Sequence, residues 1–93
     1  ESYLPRFVSE LDLSDEAERR ARELLSTSKA AGVHSGKSPV GLTAAAIYAG
    51  ALLVDERVTQ ARVSDVTDVS EVTIRNRYRE MLEAAGEANA SAA

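Results

Sequence analysis

Residues 70–80, SEVTIRNRYRE, place three arginines at alternate positions, Arg75, Arg77 and Arg79, among a valine, Val72, and an asparagine, Asn76. Two of these residue types can bond a nucleic-acid base at two points at once. Arginine can donate to guanine O6 and N7, and asparagine can pair with adenine, while a valine methyl can rest against a thymine methyl. A basic cluster is unexpected in a chain of formal net charge -4. The charge is uneven, however. Residues 1–56 carry six basic and nine acidic side chains, residues 57–79 five and three, and residues 80–93 none and three. One basic island lies between acidic flanks, and a docking partner feels that local charge rather than the total.

Other chemistries find less support. The chain has no cysteine, so disulfides and cysteine-based zinc sites are excluded, and its single histidine, His34, argues against a metal centre. No nucleophile has an evident base beside it, so an enzyme is not expected and no cofactor is implied. Glu1 opens the sequence with no basic segment leading into an apolar one, and the expectation is a cytoplasmic, nucleoid-associated domain. Lysine is scarce, two against nine arginines and fifteen acids. That balance suits a salt-rich cytoplasm, although a compositionally biased piece of a longer protein would give the same numbers.

The elements that must hold the cluster read as helices throughout. Ninety-three residues fit one small domain. Leu4, Phe7, Val8 and Leu11 fall on one helical face, with Pro5 tolerable only in a first turn. Ser14 is a good N-cap for a second helix, followed by Asp15 and Glu16 where acids suit the dipole. Its inner stripe is Ala17, Ala21, Leu24, Leu25 and Ser28, and Gly32 is a natural stop. After the HSGKSP loop, Ser38 caps a third helix with Pro39 at its first position. Nothing between Pro39 and Val54 is charged. Those sixteen residues are short of the roughly 20 that a membrane span needs, so this is a central helix surrounded by the others. Its glycines and alanines would let neighbours come close.

Two further helices follow, about Thr59 to Thr67 and from after Ser70 to near Ala85. They fit a helix-turn-helix over about residues 59–84. Counted from Gln60, Val63 is apolar, Ser64 is small where the helices cross, Asp68 occupies the turn, and Val69 and Ile74 point to the core. Glycine is usual at the turn, but aspartate tolerates the left-handed conformation better than most residues. The tail, residues 86–93, lacks core-forming residues and is expected to be flexible.

At about 100° per residue, Ile74, Tyr78, Met81, Leu82 and Ala85 form the core side of the last helix. Val72, Arg75, Asn76, Arg79 and Glu83 lie opposite, and Arg77 stands to the side. Alternate spacing therefore disguises two groups as one. An isolated exposed valine carries no message. Val72, in the first turn and beside Arg75 and Asn76, sits where a recognition helix approaches base edges. Val72, Arg75 and Asn76 are the candidate base-reading residues. Lys37 and Ser38, at the free N–H groups opening the third helix, are candidate phosphate contacts. So are Arg57 and Gln60, where the motif's first helix would cross the backbone, and Thr73.

The segments SGKSPVGLTAAAIYAGALL and VTQARVSDVTDVSEVTIRNRYRE, with YLPRFVSELDLS before them, resemble the second, C-terminal cyclin-like repeat of archaeal transcription factor B, the relative of eukaryotic TFIIB. The resemblance covers about residues 1–85. It implies an all-α, five-helix cyclin-like domain with a buried third helix. It also implies binding of double-stranded promoter DNA upstream of the TATA box, at the B recognition element, together with TATA-binding protein. The family's base-reading valine and arginine match Val72 and Arg75. Its backbone contacts match Lys37, Ser38 and Arg79. The family's zinc ribbon, which engages RNA polymerase, and its first repeat lie outside this sequence, so the resemblance makes it a C-terminal piece. The competing reading is a cyclin-type protein-interaction module that binds no DNA. A broad apolar patch around Val72 would favour it.

Overall fold

The computed structural model describes residues 3–32 and 38–86, and all its regular elements are α-helices: α1 Tyr3–Glu10, α2 Asp15–Ala30, α3 Pro39–Leu53, α4 Gln60–Thr67 and α5 Glu71–Ala84. The expected tail, together with His34 and Lys37, lies mostly or wholly outside the described residues.

Each helix after the first begins with a hydroxyl that satisfies a free amide. Ser14, Ser38, Thr59 and Ser70 accept from the backbone N–H of Ala17, Gly41, Arg62 and Thr73 respectively. Thr59 is thus a cap rather than the first helical residue. The helix ends are less conventional. α1 and α3 close in paired-bond turns, with Leu13 N–H donating to Val8 C=O and Glu56 N–H to Ala51 C=O. The left-handed residue in each is an aspartate, Asp12 (φ 58°) and Asp55 (φ 60°), where glycine is usual.

α3 is central, as its lack of charge requires. Ten of its fifteen residues are buried, and it touches all four other helices, whereas α1 and α5 do not meet. The core joins Leu4, Phe7 and Val8 of α1, Ala21 and Leu24 of α2, Leu42 and Ile47 of α3, Val63 of α4, and Ile74, Met81 and Leu82 of α5. Leu25, expected on the inner stripe of α2, is only half-buried and packs against the margin of the core. The closest approach is at Gly50. A methyl built there would lie 2.9 Å from the Ala17 carbonyl oxygen and 2.9 Å from the Ala21 nitrogen. At Gly50, α2 and α3 therefore cross backbone to backbone, against Ala17 and Ala21.

Buried hydroxyls are mostly satisfied within their own helix. Thr43 donates to the Pro39 carbonyl at 2.9 Å and Thr67 to the Val63 carbonyl at 2.7 Å. Ser28 is the exception: it is 1% exposed, and its Oγ has no hydrogen-bond partner. An unsatisfied buried hydroxyl is costly, and alanine is nearly isosteric and a better helix former. Ser28→Ala is expected to stabilise the domain by about 1 kcal/mol in urea unfolding. A loss of stability would show that the hydroxyl is satisfied in solution.

Candidate nucleic-acid interface

α4 and α5 are joined by three residues whose geometry follows from Asp68. It adopts φ 62°, ψ 26°, and its N–H donates to the Ser64 carbonyl at 2.8 Å, which ends α4 abruptly. Val69 then turns inward and is buried, its N–H donating to Thr67 Oγ1 at 3.3 Å. Val63 and Ile74, both fully buried, fix the two helices to the core on either side of the turn. Val63, Asp68, Val69 and Ile74 thus hold the places their types suggest. A carboxylate in the left-handed region, at the negative end of a helix, is unfavourable on two counts. Asp68→Gly is expected to raise stability by about 0.5–1 kcal/mol in thermal unfolding at low salt. The charge-dependent part of that gain should fade in molar salt.

With its core side fixed by Ile74, Met81 and Leu82, α5 presents the opposite side to solvent. Val72 is 55% exposed, and Arg75, Asn76 and Arg79 are exposed beside it. Arg77 is half-buried and its guanidinium pairs with Glu80 at 2.8 Å. The three arginines are therefore two outward groups and one that is structurally engaged. Tyr78 packs edge-on against Tyr48 of α3, ring centroids 4.9 Å apart, and holds the middle of α5 to the central helix.

The starts of α3 and α5 also meet. A methyl on Gly41 would lie 3.6 Å from Thr73 Cγ2 and 3.6 Å from Ser38 Cβ, so Ser38 and Thr73 flank one spot. The Ser70 hydroxyl donates to Thr73 Oγ1 at 3.0 Å and accepts from Thr73 N–H at 3.2 Å. Two adjacent helix N-termini with outward hydroxyls can hold an anionic oxygen. Lys37, the expected cation of this corner, lies outside the described residues.

Arg57 is exposed in the α3–α4 connection and Gln60 is half-buried at the start of α4. No described contact ties either to the outer side of α5. Their connection is anchored by Glu56, whose carboxylate accepts from the Ser14 N–H at 3.1 Å and from the Ser14 hydroxyl. Sequence reading missed this clasp, since 42 residues separate its partners. It also missed the Ser70–Thr73 pair, for which the i, i+3 spacing of two hydroxyl residues at a helix start was an available signal. Among the described residues no three His, Cys, Asp or Glu side chains converge to hold a metal ion. Among the same residues no helix is long and apolar enough to cross a membrane.

The chain is similar to proteins of one family. The family model described as "Transcription factor TFIIB repeat" matches residues 1–84. Over 84 residues the chain is 73% identical to Transcription initiation factor IIB 6 of Halobacterium salinarum, covering 90% of this chain and 26% of that protein. Transcription initiation factor IIB 2 of Haloferax volcanii is 70% identical over 83 residues, 89% of this chain and 25% of its own length. A Transcription initiation factor IIB of Haloarcula vallismortis is 56% identical over 84 residues, 90% of this chain and 74% of that sequence. The chain thus spans about a quarter of the first two relatives.

Proposed function

The chain belongs to the TFIIB repeat family, and from that premise we propose that it is the promoter-reading domain of a general transcription initiation factor. Residues 1–85 form the cyclin-like unit, and its helix-turn-helix docks on double-stranded DNA just upstream of the TATA box, with α5 in the major groove. Val72, Arg75 and Asn76 meet base edges. Ser38, Thr73 and Arg79, with Lys37, Arg57 and Gln60, hold phosphates. TATA-binding protein is the partner on the adjacent DNA, and RNA polymerase is reached through regions of the full-length factor beyond this chain.

The observation that carries this reading is the exposure of Val72 beside Arg75 and Asn76, on the outer side of the second helix of a tightly turned pair. A protein-binding surface would be expected to widen into an apolar patch around Val72. Its exposed neighbours are instead Glu71, Arg75 and Asn76. The named role of the relatives and their halophilic sources support the same reading in a salt-rich cell. Footprinting of the full-length factor with TATA-binding protein tests it. Protection should extend upstream of the TATA box on a promoter bearing the element and retreat when the element is scrambled. A footprint indifferent to the element counts against sequence reading by α5.

A further inference from the structure

Glu71 is the first residue of α5 and is exposed. It stands four residues before Arg75, the favourable order for a helical ion pair, yet it pairs neither with Arg75 nor with any other described residue. On the helical wheel it lies about 40° from Arg75, on the same outward side. An unpaired carboxylate in the first turn of a helix that faces DNA is repelled by phosphates whatever the sequence. A favourable interaction with the helix dipole is the ordinary account of such a residue. α2, with Asp15, Glu16 and Glu18 in its first turn, fits that account, and α3 and α4 do without it; what sets Glu71 apart is its place beside Arg75 on the outward side of α5.

A carboxylate in the major groove has one good base partner, the N4 amino group of cytosine. Resting on the reading that α5 enters the major groove, we propose that Glu71 is a specificity-determining residue that accepts a hydrogen bond from a cytosine N4 amino group beside the base met by Arg75. Glu71 and Arg75 then read neighbouring base pairs with complementary chemistry, one accepting from cytosine and the other donating to guanine. The phosphate repulsion falls on matched and unmatched DNA alike, and only a matched cytosine offsets it at Glu71. Glu71 therefore discriminates by rejection as well as by attraction.

The test is the base preference of the full-length factor, bound with TATA-binding protein to a promoter library randomised upstream of the TATA box. Wild type, Glu71→Ala, Glu71→Gln and Arg75→Ala are compared. Wild type should favour cytosine at one position by about tenfold. Glu71→Ala should flatten that position alone and tighten binding to unmatched DNA. Glu71→Gln should move the preference there to adenine, the base glutamine bonds at two points. If Arg75→Ala flattens a position while Glu71→Ala alters none, Glu71 serves only the helix dipole and the proposal is overturned. If Arg75→Ala also alters none, the docking of α5 itself is refuted and the role of Glu71 falls with it.

Discussion

Gly50→Ala is expected to destabilise the domain by about 3 kcal/mol, the upper part of the range for overpacking a core. The added methyl would sit 2.9 Å from two backbone atoms of α2, the Ala17 carbonyl oxygen and the Ala21 nitrogen. No side-chain rotamer can relieve that contact, so α2 and α3 must separate. Separation would open the Ala-lined interface on which Ala17, Ala21 and Ala49 are buried. A domain of 93 residues has little stability to lose, since folded proteins hold only about 5–15 kcal/mol and small ones sit near the bottom of that range. Urea unfolding followed by circular dichroism measures the effect. Gly41→Ala is the control. Its methyl would meet Thr73 Cγ2 and Ser38 Cβ at 3.6 Å, an ordinary contact. It should stabilise the helix by up to about 1 kcal/mol. Equal behaviour of the two variants would show that the α2–α3 crossing is looser than described.

Arg75→Ala is expected to cost about 1–3 kcal/mol in binding to the matched upstream element and much less on a scrambled one. The reasoning begins with what Arg75 does not do. It is exposed and makes no ion pair with a described residue, unlike Arg77, which Glu80 engages at 2.8 Å. A guanidinium held on a rigid helix and free of internal partners keeps both its donors for a guanine. Arg79→Ala should behave differently. As a phosphate contact it would weaken matched and scrambled DNA alike and reduce the salt dependence of binding by about one ion. Gel-shift titration with TATA-binding protein at several salt concentrations separates the two. Loss of affinity without loss of discrimination in Arg75→Ala would reassign it to the backbone.

Local features of this fold were legible because local rules determine them. The uncharged run from Pro39 allows only a buried helix once a membrane span is ruled out by length. The cap residues Ser14, Ser38 and Ser70 mark the helix starts, and Asp68 was identifiable as a turn residue because few other side chains accept its conformation. The partition of the three arginines followed from helical period alone. Contacts between distant segments were not legible. The small residues of α3 announce a close neighbour, but nothing around Gly50 says that it is the backbone of α2. The Glu56–Ser14 clasp joins two turns far apart in sequence. The meeting of Thr73 with Gly41 and Ser38 depends on how α5 lies across α3, which periodicity does not set. Thus the reading side of α5 could be drawn from sequence, whereas the corner that would grip phosphate needed the packed structure.

The central claim is that the N-terminal turn of α5 enters the major groove upstream of the TATA box. A photo-crosslinking residue placed at position 72 of the full-length factor, assembled with TATA-binding protein on promoter DNA, tests this most directly. The account predicts crosslinks to bases of the upstream element, lost when that element is scrambled. Crosslinks to protein alone, in a complex that still forms on the promoter, would contradict it.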